Sequence, residues 1–406
     1  MDEADGIDET AETEGSILTI NSGSSSLKFG LYVQRDQREQ PVFLGSAEHI
    51  GAGQGRLSIG DAHGRTVFEE DAEYRTQSDA LVHAAVQLQR LSGAPPTLIG
   101  HRVVHGGPHL REHQAITPAL LATLAASVHF APLHIPTALA LIRLAEKQFP
   151  QAPQFACFDT AFHRTMPAEA STYAIPQQYR AMGVERYGFH GLSYESVVEA
   201  LKPNLPARLV VAHLGNGASL CAISHGKSVD TSMGMTPTGG IPMGTRSGDL
   251  DPGVVLFLAR NGRLSTDDLE SLLNHDSGLV GLSGESSDMR ALSASAASGH
   301  GDAQLAIDIF CRSVAKTIGA YATVLRGIDL LVFTGGIGEH SADVRSKICA
   351  PLGHLGISLD SRENQTSASR ISTQNSRCAV RILTADEDAQ IARHVRRLAQ
   401  SPHVSS

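Results

Sequence analysis

Three times along this chain an apolar, strand-like run empties directly into a short turn of small and polar residues. Ile17–Ile20 leads into Asn21-Ser-Gly-Ser-Ser-Ser, Arg208–His213 into the turn Gly215-Asn-Gly-Ala-Ser, and Leu330–Phe333 into Thr334-Gly-Gly-Ile-Gly-Glu339. Such turns expose several backbone N–H groups, and their small side chains let a phosphate come close. Any one of them reads equally well as an ordinary turn. Three at strand ends point to a shared nucleotide cradle, because α/β sheets bind ligands at the carboxyl ends of their strands. The first, despite Lys28, lacks the GxxxxGK[ST] spacing of a P-loop.

The segments around these turns repeat one grammar. Each half opens with a strand, a polar turn and a return strand, over Leu27–Val33 in the first half and up to Ile223 in the second. That pattern predicts a hairpin at each start. In the first half Leu81, Ala85, Leu88 and Leu91 have helical spacing, Thr97–Val104 is strand-like, Thr137–Lys147 is helical, and the strand Phe155–Phe158 delivers Asp159. In the second, Phe310, Val314, Ile318, Tyr321 and Leu325 mark one face of a long helix. A last strand, Val380–Leu383, precedes Thr384-Ala-Asp-Glu-Asp388. Gly51–Gly55 and Ser293–Gly301 read as surface loops. This is self-similarity at domain scale, and it predicts an α/β protein of two similar lobes with a cleft between them. The expected division is residues 16–159 plus 388–406 for an N-terminal lobe and 160–387 for a C-terminal, nucleotide-binding lobe, with 1–15 as a disordered acidic tail.

Composition narrows the function classes. The 406 residues are 41% apolar and 18% charged, enough to bury large cores, so wholesale disorder is excluded. No apolar stretch approaches the ~18 residues a membrane helix needs, and the acidic N-terminus has no signal-peptide core. The net charge of −9 is misleading, since residues 1–15 hold seven acids and no base, leaving 35 acids against 33 bases in the remainder. A near-neutral body lacks the footprint of a general nucleic-acid binder. The five scattered cysteines (Cys157, Cys221, Cys311, Cys349, Cys378) show no CxxC spacing, which argues against a zinc site or disulfide framework and for a reducing cytoplasm.

Cations and acids stand beside the turns. Arg102 in Gly100-His-Arg-Val-Val-His-Gly-Gly107 and Arg246 in Gly244-Thr-Arg-Ser-Gly248 are flanked by glycines, and two fixed guanidinium forks suit carboxylate and phosphoryl oxygens. Each alone could equally be a surface residue. His101, His105 and His109 fall four residues apart, but Gly106, Gly107 and Pro108 break the helix that would make them a metal stripe. His190, in Tyr187-Gly-Phe-His-Gly-Leu-Ser193, is either a buried structural histidine or a donor to a reacting phosphoryl group. Asp159 could orient a metal or a reactant, Glu387 could be a Mg²⁺-side carboxylate or an exposed acid, and Asp288-Met-Arg290 could touch a nucleotide.

Together these segments resemble the acetate kinase (acetokinase) family from about Ile17 to about Arg396. The most specific stretches are INSGSSSLK, GHRVVHGG, FDTAFH, RYGFHGLSY, AHLGNGAS, DTSMGMTP, MGTRSGDLDPG and FTGGIGE. The resemblance implies two actin-like, ribonuclease-H-like lobes closing over a nucleotide, and reversible transfer of the ATP γ-phosphoryl to acetate, giving acetyl phosphate and ADP. It implies Asn21 and Glu387 as Mg²⁺ ligands, with Mn²⁺ as a substitute, and Lys28 near the nucleotide phosphates. His213, Leu214, Gly215, Asn216 and Gly217, with Asp288, Met289 and Arg290 and with Gly335, Gly336, Ile337, Gly338 and Glu339, would cradle ATP. Arg102 and Arg246 would bind the acyl carboxylate and the phosphoryl, His190 would stabilise that phosphoryl, and Asp159 matches the family's catalytic acid. Val104, Leu133, Phe189 and Pro237 match its apolar pocket for the acid's methyl group. A cytoplasmic homodimer acting on acetate and acetyl phosphate, with no nucleic-acid or membrane partner, is the corresponding expectation. The close alternatives are a propionate or butyrate kinase and, in another class, a switch-like ATPase of the actin and heat-shock superfamily. Paired arginines argue against the ATPase, whose nucleophile is water. The chain departs from the family at Ile135, where Asn is usual, and at Thr238-Gly-Gly-Ile-Pro242, so loop shape near the site is expected to differ.

Overall fold

The computed structural model describes residues 15–23, 25–132 and 134–401. The acidic tail, apart from Gly15, and Leu133, expected at the methyl pocket, lie outside the described residues. The chain divides into two compact units: one runs to Ala161 and resumes at Asp386, and the other is Phe162–Ala385.

The first unit holds eight strands: β1 (Ile17–Ser22), β2 (Leu27–Arg35), β3 (Arg38–Glu48), β4 (Gln54–Asp61), β5 (Thr66–Glu73), β6 (Leu98–Val103), β7 (Gln114–Ala115) and β8 (Gln154–Phe158). They form one sheet in the order β5-β4-β3-β2-β1-β6-β8-β7. The predicted hairpin is present, with β1 antiparallel to β2 and β2 to β3, while β6 runs parallel to β1 and β8 parallel to β6. The second unit holds β9 (Arg208–Leu214), β10 (Ala218–Ser224), β11 (Lys227–Thr231), β12 (Leu330–Thr334) and β13 (Ala379–Ile382) in the order β11-β10-β9-β12-β13. Here too two antiparallel pairings precede two parallel ones. The core of the first sheet, β3-β2-β1-β6-β8, therefore has the same strand order and directions as the whole of the second. Each is a ribonuclease-H-like sheet, and the repeat legible in the sequence is this topology.

Apolar packing fixes both units. In the first, Leu18, Ile20, Phe29, Leu57, Ile59 and Ile99 pack against the helix Gln77–Ser92 through Leu81, Ala84 and Leu88. A second cluster surrounds the ends of β6 and β8 and contains Val103, Leu139, Phe158 and Ile135. Ile135, the departure from the family pattern, is thus a core residue at the start of the helix Ile135–Gln148. In the second unit Leu209, Val211, Cys221, Ile223 and Val332 pack on Tyr194, Val197 and Leu201 around the helix Gly191–Ala200. The five cysteines are buried and none of them is in a disulfide. Among the described residues no helix is long and apolar enough to cross a membrane.

Several expectations need correction. The lobe boundaries shift by two residues, and Glu387, expected in the C-terminal lobe, belongs to the first unit. It opens the helix Glu387–Ala399, whose cap is Asp386 and whose residues Ile391 and Val395 lie against Gly100 of β6, so the helix cannot be cut at 387. Ser293–Gly301 is mostly helix: Met289–Ala297 is capped by Asp288 and buries Met289 and Leu292, leaving only a short connection before the next helix at Gly301. Gln54 and Gly55 already belong to β4. The third glycine turn is itself the helix Gly335–His340.

Candidate active site

In the first unit the polar residues at the strand ends form one hydrogen-bonded chain. Arg102, on β6, donates from Nη2 to Asp159 Oδ2 at 2.6 Å and from Nε at 3.1 Å, and from Nη1 to Asn21 Oδ1 at 3.1 Å. Asn21, on β1, donates from Nδ2 to Glu387 Oε2 at 3.0 Å. Asp159 directly follows β8, is fully buried, and has its backbone N–H on the Val103 carbonyl at 3.0 Å. Parallel pairing of β1, β6 and β8 thus brings Asn21, Arg102 and Asp159 together at the carboxyl ends of these strands. Burial works against the Arg102 charge, but Asp159 and Glu387 outweigh it and hold its pKa above the ordinary arginine value. Lys28 is exposed and is the cross-strand partner of Asn21 in the β1–β2 hairpin. Val104, expected as the last residue of the strand, lies one residue past the end of β6 and is buried.

Acidic charge concentrates around Glu387. Asp388 Oδ1 is shut off from solvent with no hydrogen-bond partner, and burial, then the charges of Glu387 and Asp386, push the Asp388 carboxyl up to about 7. Hard oxygen donors with an unsatisfied buried carboxylate atom are what a divalent cation such as Mg²⁺ takes. The residues present therefore fit the ion that the sequence implied at Asn21 and Glu387. Asp388 itself was missed, since an acid after an acid carries no separate signal.

In the second unit the β9–β10 hairpin is the centre. His213 and Ser219 are cross-strand partners. The His190 ring stacks on His213 with centroids 4.3 Å apart, and His213 Nδ1 lies 2.8 Å from Ser193 Oγ. A Cβ placed on Gly217 would sit 3.5 Å from His190 Nε2 and 3.6 Å from Arg246 Nη1, so both side chains reach one point at the turn. Arg246 Nη1 also donates to the Pro237 carbonyl at 3.3 Å. The Thr238–Pro242 departure is held by Asp249, which accepts from Gly240 N–H at 2.8 Å. Phe189 is buried, and its carbonyl accepts from His163 Nε2 at 2.9 Å.

A cavity of 690 Å³ in this unit is lined by Gly215, Asn216, Asp288, Met289, Arg290, Gly336 and Ile337, joined by Ser293, His340, Ser341, Ala342, Asp343 and Gln365. Sequence segments far apart in the chain thus meet at one hollow. Their parts differ, however. Asp288 accepts from the Ala291 and Arg290 N–H groups at 2.9 and 2.8 Å, and these bonds lower its pKa. Arg290 keeps its guanidinium in solvent. Glu339, expected among the cradle residues, turns its carboxylate back to the Gly335 N–H at 2.9 Å and to Thr384 Oγ1 at 2.7 Å, so it braces its own helix. Gly335 has φ +77°, and a Cβ there would lie 2.7 Å from the Leu214 carbonyl. Arg345, which the sequence did not single out, is fully buried and donates to the Gly338 and Glu339 carbonyls at 2.9 Å and to Asn364 Oδ1 at 2.8 Å. It holds the end of the glycine helix with a cation whose pKa burial lowers.

A ribonuclease-H-like sheet built twice, with a strand-end glycine helix at a cavity in the second copy, defines an actin-like α/β phosphotransferase. The chain belongs to the acetokinase family, which residues 16–393 match. It is 42% identical over 396 residues to the acetate kinase of Methylocella silvestris, a match covering 93% of this chain and 96% of that protein. The crystal structure of a propionate kinase from Francisella tularensis subsp. tularensis SCHU S4 is similar with a TM-score of 0.87 at 37% identity, covering 95% of this chain and 100% of that one. The Porphyromonas gingivalis acetate kinase structure gives 0.84 at 34% identity, with the same coverage.

Proposed function

We propose that this chain transfers the γ-phosphoryl of ATP reversibly to acetate, giving acetyl phosphate and ADP. The observation that carries the reading is Arg102, a guanidinium aimed by a buried carboxylate at the end of β6, whose remaining Nη2 N–H can take an oxygen of a second carboxylate. Acetate is ionised near neutral pH, since such acids have pKa values of roughly 4. Its oxygen forms the new bond to the γ-phosphorus, the bond from that phosphorus to the bridging oxygen of ADP breaks, and no proton moves. Asp159 therefore acts as a positioning residue for Arg102 and not as a base. Arg246 and the Nε2 side of His190 meet negative charge on the phosphoryl group, so catalysis is positioning and charge neutralisation. The family resemblance assigns Val104, Leu133, Phe189 and Pro237 to the acid's methyl group, and the cavity lined by Gly215, Asn216, Asp288–Arg290, Gly336 and Ile337 takes the nucleoside. Asn21 and Glu387, with Asp388 beside them, would hold Mg²⁺ or Mn²⁺, an ion that would supply positive charge against the nucleotide phosphates, and Lys28 would add a further cation.

We place the chain in the cytoplasm as a homodimer. Support for the dimer comes from the helix Pro252–Asn261, which buries none of its residues and leaves Phe257 62% and Leu256 52% exposed. Phe257→Asp should give a monomer by light scattering. The activity is tested by incubating MgATP, hydroxylamine and acids of two to four carbons. Hydroxamate should form fastest with acetate, and Arg102→Ala or Arg246→Ala should lower kcat by roughly 10³, as loss of an arginine finger does. Preference for propionate would favour the activity named for the Francisella tularensis relative, and phosphate release with no hydroxamate would favour an ATPase.

A further inference from the structure

His190 caps the helix Gly191–Ala200 with a left-handed backbone, φ +57° and ψ 26°. Left-handed histidine is uncommon, and the surroundings over-determine it. The carbonyl just before it is pinned by His163, one ring face rests on His213, and the ring edge is engaged too. His190 Nδ1 lies 2.9 Å from Ser219 Oγ. The same Ser219 oxygen is hydrogen-bonded to the Tyr194 hydroxyl, one turn further along the helix. Ser219 and Tyr194 are both fully buried. Because Ser219 pairs with His213 across the β9–β10 hairpin, one pair of cross-strand neighbours carries both the face and the edge of the His190 ring.

Ser219 Oγ has two lone pairs and could accept from both neighbours, but it is fully buried. Its one proton needs an acceptor, which His190 Nδ1 or Tyr194 Oη must supply, so the line runs in one of two directions. A phenol is a better donor and a poorer acceptor than an alkyl alcohol, which orders it as Tyr194 Oη–H to Ser219 Oγ and Ser219 Oγ–H to His190 Nδ1. The nitrogen that accepts a hydrogen bond carries no proton, and the other then does. We infer that Ser219 and Tyr194 are positioning residues that fix neutral His190 with its proton on Nε2, the atom beside Arg246 at Gly217. The ring then offers a donor, not a lone pair, to an incoming phosphoryl oxygen. This rests on the reading of His190 as a phosphoryl-facing residue, and the two stand or fall on different measurements.

The relay is tested with the full chain labelled with ¹⁵N-histidine at pH 8, the His190 signals being identified by their loss in His190→Gln. The wild-type protein should show Nδ1 at an unprotonated shift and Nε2 at a protonated one. In Ser219→Ala the two shifts should move toward each other as tautomers mix, kcat should fall roughly tenfold, below the 10²–10³ lost with a whole oxyanion donor, and the KM for ATP should stay unchanged. Tyr194→Phe, which keeps the ring and removes only the hydroxyl, should shift Nδ1 in the same sense by a smaller amount. A protonated Nδ1 in the wild type, or unchanged shifts and kcat in Ser219→Ala, would overturn the relay and leave the phosphoryl reading intact. Wild-type kcat in His190→Gln would overturn the phosphoryl reading, whereas the measured tautomer would still decide the relay.

Discussion

Replacing Asp159 by asparagine should separate a positioning carboxylate from a catalytic base. Asp159 is fully buried, and its Oδ2 takes two Arg102 donors, at 2.6 and 3.1 Å. The Arg102 side chain is itself only 15% exposed. Removing one partner of a buried ion pair costs about 3–5 kcal/mol, because the other charge is left uncompensated. Here Glu387 and Asp388 still face the guanidinium, so the cost should lie near the lower end, about 3 kcal/mol. For a domain of about 150–250 residues that lowers Tm by roughly 6–12 °C, measurable by calorimetry without ligand. Kinetically, Arg102 keeps its charge but loses its aim. The KM for acetate should rise at least about tenfold and kcat should fall by roughly 10², the scale of a misplacement of about 1 Å. The KM for ATP should not move. Since acetate brings no proton to remove, the pH profile of kcat between about 6 and 9 should keep its wild-type shape in the variant. A variant that melts within a degree of wild type would refute the ion-pair argument. A wild-type acidic limb that vanishes in Asp159→Asn would show that Asp159 takes a proton after all.

Other consequences follow from burial and pocket shape. Val104→Ala should lower the KM for propionate and butyrate and leave ATP kinetics alone, each newly accommodated methylene being worth ~0.8 kcal/mol, or about fourfold, as read by a substrate series. An unchanged acyl profile would remove Val104 from the pocket. His101 and His163 are buried, and burial pushes both pKa values down to about 4, below the unfolded value of about 6.5. Their contribution to stability is complete above a pH of about 6.5 and is lost as pH falls toward about 4, at up to about 1.4 kcal/mol per pH unit for each, so His163→Gln should flatten the fall of urea-measured stability over that window.

What the sequence made legible was whatever depends on neighbours along the chain. Asn21, Arg102 and Asp159 stand at or beside strand ends, and parallel pairing of those strands had to bring them together. Their order as a chain through Asp159, Arg102, Asn21 and Glu387 needed the structure, because Glu387 arrives from the far end of the sequence on a helix that returns to the first unit. Val104 falls one residue past the expected strand, because the pairing of β6 stops at Val103. Glycines in Gly335–Glu339 suggested a turn, yet Glu339 and Arg345 clamp the segment as a helix. The Ser293–Gly301 stretch looked like a loop because serine and glycine dominate it, whereas the Asp288 cap and the buried Met289 and Leu292 decided for helix. Ser219 and Tyr194 left no signal, since their meeting with His190 depends on how a helix cap lies against a hairpin.

Phosphorus NMR with acetate labelled by ¹⁸O in both carboxyl oxygens tests the central claim most directly. If the carboxylate attacks the γ-phosphorus, acetyl phosphate formed from unlabelled MgATP must carry one ¹⁸O on phosphorus, in the bridge to the acyl carbon, and ADP must appear in equal amount. Acetyl phosphate whose phosphorus bears no ¹⁸O, or ADP accompanied only by unlabelled inorganic phosphate, would contradict it.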